Sequence, residues 1–235
     1  MNYREQRVPP PLGTFVECVW FLAGGAAGAP GGRDAAPPQL QRILPDGCVE
    51  LIFHFRERFH AIAATGVPTR QPPSFVVGLL TSPFVIAPAG LVDTMAVRFR
   101  PGGAYPFFAV PLSTLTDRAV GLDQLWGSAA ARRVWQQLAD TSGCAARAAT
   151  ISRELLTRRA SVEPDRATAS AVGDLVGTSG RARIDRVAAR AGLTARHLQR
   201  RFADRVGVSP KVLARILRFQ RTLLERAPAD RSHAD

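Results

Sequence analysis

The stretch from Ile184 to Pro210, IDRVAARAGLTARHLQRRFADRVGVSP, restricts the fold of this chain more than any other. Ile184, Val187, Ala188 and Ala191 recur at i, i+3, i+4 and i+7, the spacing that gathers apolar side chains on one face of a short helix. Ala188 is small, as suits a residue where two helices cross closely, and Gly192 follows four positions later. A tight turn between helices needs a residue that enters the left-handed region cheaply, and glycine does so. Leu193 can plug that turn, and Thr194 carries the hydroxyl of a helix N-cap. A second helix is therefore predicted from Ala195 to Arg205. At about 100° per residue, Leu198 and Phe202 point to the core while Arg196, Gln199 and Arg200 cluster on the opposite face. Gly207 suits a left-handed C-cap, with Val208 placed for the hydrophobic contact that accompanies it. Ser209 and Pro210 then open a longer helix, serine as N-cap and proline in the first turn. Its expected apolar stripe is Val212, Ile216, Phe219 and Leu223, and its outer face Lys211, Arg215, Arg218, Thr222 and Glu225. The pattern is that of a helix-turn-helix followed by a further, longer helix.

The exposed face of the second helix carries residue types that read nucleic acid. Arginine can bond a guanine edge through two hydrogen bonds, glutamine an adenine edge, and either can reach phosphate. A small helical bundle with a solvated basic face would share the amphipathicity. It would not require the Ala-x3-Gly-Leu spacing, the capped second helix and the opposed Gln/Arg face together. The net charge of +12 points the same way, with a reservation: of 31 basic residues only Lys211 is lysine, and alanine, glycine and proline are abundant. GC-rich codon bias inflates arginine without functional demand, so the distribution says more than the total. Residues 165–235 hold 15 basic and 7 acidic residues, whereas the first 164 hold 16 and 12. The basic excess sits where the helix-turn-helix is.

Upstream, the chain reads as β-rich to about residue 115. Strands are predicted at Phe15–Leu22, Gln41–Leu44, Cys48–Phe55, Phe59–Ala64, Phe75–Leu80, Phe84–Ala87 and Asp93–Phe99, punctuated by turn signals such as Pro45-Asp46-Gly47. Gly24 to Pro38, nearly all alanine, glycine and proline, is expected to be a surface loop. Short strands with frequent turns suggest a sandwich or small barrel. Helices are predicted at Leu122–Trp126, Ala129–Ala139 and Ala145–Arg159, and Pro164 is expected to act as a linker. The expected fold class is α+β, in three parts: a β-rich domain over residues 1–117, a helical linker or dimerisation region over 118–164, and an all-α DNA-binding domain over 165–235.

These residues carry a resemblance. Ile184, Val187, Ala188, Gly192, Leu193, Leu198, Arg200, Phe202, Gly207, Ser209 and Pro210 resemble the first helix-turn-helix of the AraC/XylS family of transcriptional regulators. The resemblance implies that Arg196, Gln199 and Arg200 face the major groove of double-stranded DNA. It also implies that Ser209-Pro210 starts the helix joining two DNA-binding subdomains. Arg183, Arg201, Lys211 and Arg215 are then the candidates for phosphate contact. The segments Arg42–Phe53 (RILPDGCVELIF), Val76–Pro83 (VVGLLTSP) and Val97–Asp117 are similar to the cupin-like sensor region of one subgroup of that family. They imply a domain that senses a small-molecule effector or forms a homodimer. The sequence departs from the family in one respect: a second helix-turn-helix normally follows the connecting helix, and here the residues end in APADRSHAD. The expectations are a truncated chain, or weak and salt-dependent binding through one reader helix. The alternative function is a ligand-binding or interaction protein that binds DNA poorly and dimerises with a full-length relative.

Other chemistries find little in the sequence. Cys18, Cys48 and Cys144 are odd in number, far apart and without a CxxC, which argues against a disulfide framework or a cysteine zinc site. The same scatter argues against the DNA-repair methyltransferases that share this helix-turn-helix. The N-terminus lacks a signal-peptide layout, and the apolar stretch from Phe15 to Ala29 is too short to span a bilayer, so a cytoplasmic protein with no membrane partner is expected. His54 and His60 do not form the HxH pair of a cupin metal site, and no nucleophile–base motif is present, so neither cofactor nor enzymatic activity is expected. Asp46, Glu50, Arg98 and Arg100 are the charged residues of the two most distinctive N-terminal motifs. Arg98 and Arg100 would share one face of an alternating strand. They are expected to hold a carboxylate such as Asp46 in a structural ion pair, or else to line a small-molecule pocket.

Overall fold

The computed structural model describes residues 1–10, 12–25, 40–62, 66–159 and 165–226. The expected Gly24–Pro38 loop falls largely outside them. Gly24 and Gly25 close a strand, and 26–38 lie outside the described residues, as do Pro164 and the tail 227–235. The chain is α+β, with strands first and helices after, as its patterning predicts.

Six strands make the larger sheet: β1 (Asn2–Gln6), β2 (Val16–Gly25), β4 (Val49–His54), β7 (Ser74–Val77), β9 (Leu91–Phe99) and β10 (Ala119–Gly121), in the order β1-β2-β9-β4-β7-β10. Four make the smaller: β3 (Gln41–Ile43), β5 (His60–Ile62), β6 (Pro68–Arg70) and β8 (Phe84–Ala87), in the order β3-β8-β5-β6. Every pairing among them is antiparallel. Alternation assigns the two faces of the larger sheet different work. Val49, Leu51 and Phe53 of β4, with Met95, Val97 and Phe99 of β9, are buried in the main core. Glu50, Ile52, His54, Thr94 and Arg98, the alternate residues, face the smaller sheet and line a cavity between the two.

Three strands escape sequence patterning. β1 is NYREQ, polar and almost wholly exposed, and is a strand only because it pairs with β2 at the sheet edge. β6 and β10 have three residues each, too few for a period to show. Conversely, the strand predicted through Leu80 stops at Val77. The backbone of Leu115 lies so close to Gly78 that a Cβ there would overlap its carbonyl. Gly78 N–H instead donates to Arg118 O at 3.0 Å.

The helices are α1 (Tyr105–Phe108), α2 (Leu122–Trp126), α3 (Ser128–Asp140), α4 (Cys144–Arg158), α5 (Arg166–Gly177), α6 (Ile184–Arg190), α7 (Ala195–Arg205) and α8 (Pro210–Arg226). One contiguous set of buried side chains runs from Leu51 and Phe99 in the sheet, through Phe108, Val134 and Ile151, to Leu175, Phe202 and Leu213. The helical C-terminal part therefore packs on the β-rich part. One expectation needs correction here. The buried face of α8 is Pro210, Leu213, Ala214 and Ile216, while Phe219 is 40% exposed. The face is rotated because α8 packs on α5 and on the turn at Gly47, where Leu213 and Ile216 approach most closely.

Candidate functional site

Helices α6 and α7 are joined as the sequence suggests. Gly192 takes φ of 68° in the turn, and Leu193 N–H donates to Ala188 O at 2.9 Å. Thr194 caps α7, its Oγ1 accepting from His197 N–H at 3.3 Å. Leu198 and Phe202 are fully buried, so the opposite side of α7 is fixed toward solvent, and Arg196, Gln199 and Arg200 are all exposed on it. After α7, Gly207 has φ of 99°, and Ser209 Oγ caps α8 by accepting from Val212 N–H at 3.3 Å. Lys211 and Arg215, one turn apart on α8, are exposed as well. Among the described residues, none of these five side chains is held by an ion pair or a side-chain hydrogen bond.

The other two candidates for phosphate contact are engaged. Arg183 pairs with Asp185 at 2.8 Å on an exposed surface. Arg201 pairs at 2.8 Å with Asp165, which also caps α5 through Thr168 N–H at 3.0 Å and Thr168 Oγ1 at 2.8 Å. Burial would push the Asp165 carboxyl up, but the two Thr168 bonds and the Arg201 charge outweigh it, and its pKa is held below the ordinary aspartate value. Arg205, also near Asp165, lies 4.2 Å over the Tyr105 ring. Thr116 Oγ1 donates to Gly207 O at 2.6 Å, so the 105–116 segment grips the chain just past the end of α7.

The second constellation lies between the sheets. A cavity of about 230 Å³ is lined by residues of both, with a mostly apolar surface. The structure brings Asp46, Glu50 and Arg98 together at its polar end. Arg98 Nη2 donates to Asp46 Oδ2, and Arg98 Nε lies 3.2 Å from Glu50 Oε1, close enough for an ion pair but not aligned as a hydrogen bond. Trp20 Nε1 donates to the same Glu50 oxygen at 3.1 Å. Burial pushes the Glu50 carboxyl up in pKa, with Arg98 opposing. Arg100 is left out, because β9 ends at Phe99 and the chain then turns. Its Nε donates to Gly13 O at 2.8 Å on the exposed surface.

At the other end stands His54, which the sequence singles out only as an incomplete metal-ligand pair. It is 2% exposed, with Nδ1 2.9 Å from Thr94 Oγ1 and Nε2 3.0 Å from Gln71 Oε1. An amide oxygen only accepts, so Nε2 carries the proton and Nδ1 accepts from the Thr94 hydroxyl. Burial lowers its pKa to about 4, against a smaller opposing effect of the Gln71 bond, so the ring is neutral near pH 7. Alternation with Glu50 and Ile52 was the signal that could have placed it on the cavity face. Among the described residues no group of three or more His, Cys, Asp or Glu side chains is placed to hold a metal ion. No helix among them is long and apolar enough to cross a membrane.

Residues 5–121, just under half of the chain, match a family model described as a domain of unknown function, DUF6597. No curated protein matches. Among solved structures, the AraC-like transcriptional activator CuxR aligns at 15% identity and a TM-score of 0.33, covering 94% of this chain and 86% of that one. A superposition that loose fixes neither fold nor function.

Proposed function

We propose that the protein is a DNA-binding transcriptional regulator of the AraC type, with a cupin-like β-rich half that senses a small molecule or mediates dimerisation. The observation that carries this reading is the exposed face of α7. On a helix capped at Thr194 and anchored by Leu198 and Phe202, Arg196, Gln199 and Arg200 project together with no partner among the described residues. Ordering three long polar side chains on one helix face, next to a tight turn, suits insertion into a major groove. Lys211 and Arg215, exposed on α8, are the proposed phosphate contacts. Arg183 and Arg201 already pair with Asp185 and Asp165, which offsets their charge toward phosphate.

The test is selection of bound fragments from a genomic DNA pool at low salt, followed by titration of the preferred site. Arg200→Ala and Gln199→Ala should each lose about 1–3 kcal/mol of discrimination between that site and random DNA. Lys211→Ala should weaken binding to both alike and reduce the salt slope by about 1. If the chain retains no DNA at low salt, the reading fails, and the ligand-binding alternative stands in its place.

A further inference from the structure

We infer that the cavity between the two sheets is a binding site for a small, uncharged, largely apolar molecule of about nine heavy atoms, bearing one O–H or N–H group that donates to Glu50. Its biological role as a sensor rests on the function proposed above, but the binding itself does not.

Size comes first. A dry apolar cavity of about 150 Å³ holds a benzene ring, so about 230 Å³ accommodates roughly nine heavy atoms, a ring with a short substituent. The lining sets the character. Ile52, Val77, Phe84 and Ile86, two from each sheet, supply apolar wall on both sides.

The polar end then selects the functional group. Asp46 has both oxygens engaged, Oδ1 by Cys48 N–H at 2.9 Å and Oδ2 by Arg98. Glu50 does not. Its Oε1 faces Trp20 Nε1 and Arg98 Nε, while Oε2 has no hydrogen-bond partner among the described residues. Glu50 lines the cavity, so this free acceptor is within reach of a ligand O–H or N–H. Two features weigh against a charged ligand. A cation at Glu50 would meet the Arg98 guanidinium, 3.2 Å from the same carboxylate, and an anion would lie against the Asp46 and Glu50 carboxylates already paired with Arg98. What remains is a neutral donor on an apolar frame: a phenol or cyclic alcohol, or an N–H heterocycle.

The experiment is titration calorimetry on the full chain without DNA, so that its failure is separate from any failure of DNA binding. The probes are 4-ethylphenol, its isomer 4-methylanisole, which fills the same volume without a donor, indole, and the cation 2-phenylethylamine. The expected result is one-site binding of 4-ethylphenol and indole, with 4-methylanisole and the amine about tenfold weaker or more. Glu50→Leu should bring the two isomers within about twofold of each other, and Ile86→Trp, which fills the cavity, should abolish binding of both. The isomer comparison needs no variant, so it stands even if a substitution disturbs folding. Absence of binding by every probe at millimolar concentration overturns the inference. So do equal binding of the isomers, tightest binding of the amine, and binding that survives Ile86→Trp in a folded protein.

Discussion

Asp165 caps α5 and pairs with Arg201 of α7, and removing it separates the effect of a cap from that of a charge. Its carboxylate accepts from Thr168 N–H and from the Thr168 hydroxyl, and it pairs with Arg201. Asp165→Ala loses all three. An N-cap contributes about 1 kcal/mol. Thr168 is 4% exposed, so its stranded hydroxyl costs about 1 kcal/mol more. Arg201 is 45% exposed along its side chain, which limits the ion pair to about 0.5 kcal/mol. The total expected loss is about 2–2.5 kcal/mol at pH 7. Asp165→Asn keeps an acceptor for Thr168 and should lose only about 0.5–1 kcal/mol, mostly the charge. Urea denaturation followed by helical circular dichroism at unchanged m reads both. The pH dependence supplies a second check. The folded carboxyl has a pKa below its unfolded value of about 3.9, so its contribution is fully present above that value and is lost as pH falls through the folded one. The gap between wild type and Asp165→Ala should therefore be constant from pH 7 to about 5 and close in stronger acid. If Asp165→Asn costs as much as Asp165→Ala, the cap is not what the carboxylate provides; if the gap ignores acid, the charge plays no part.

Two further expectations test the core on either side of that contact. His54 is held neutral with a pKa of about 4 against an ordinary 6.5, so the unfolded chain takes up its proton first. Stability is full above about pH 6.5 and falls as pH drops toward 4, by up to about 3 kcal/mol, and denaturation of His54→Gln should show a shallower slope in that window only. An unchanged slope would mean the imidazole does not titrate as its burial dictates. Gly180 has φ of 71°, and a Cβ there would overlap the carbonyl of Ala214 in α8. Gly180→Ala should cost about 3 kcal/mol or more, combining left-handed strain with overpacking, whereas Gly177→Ala, with open space around its Cβ, should be neutral or stabilising in the same denaturation assay.

What the sequence discloses follows the range of the interactions involved. The α6–α7–α8 unit is legible because its signals are local: the turn at Gly192, the cap at Thr194, the terminus at Gly207 and the Ser209-Pro210 start each act within four residues. The partners of its charged residues are not local. Asp165 lies 36 positions from Arg201, and nothing in either neighbourhood announces the pair. The cavity is intermediate. Glu50 stands opposite Arg98 in the β4–β9 register, so two motifs that looked distinctive separately prove to be one polar cluster. Arg100 misleads because alternation holds only while the strand lasts, and β9 ends one residue before it. The turn at Gly47 misleads about α8 in the same way: periodicity gives a stripe, but only the partner decides which stripe is buried.

That turn also bears on how the cavity and α7 can influence each other. Asp46 faces the cavity and is held by Arg98, while on the other side of the same turn Pro45 O accepts from Gln220 Nε2 at 2.6 Å and Gly47 abuts Leu213. At the second junction, Thr116 and Tyr105 hold Gly207 and Arg205 at the end of α7. Both junctions are packed into the one continuous core, and packed interiors deform little. A tethered module swinging on a linker would need neither. A displacement of Asp46 can reach α7 through α8 or the 105–116 segment, both of which α7 contacts, as it does α5 and α6. Such coupling needs discrete alternative packings at these contacts rather than a loose hinge, with Gly47, Gln220 and Thr116 among the residues that set them.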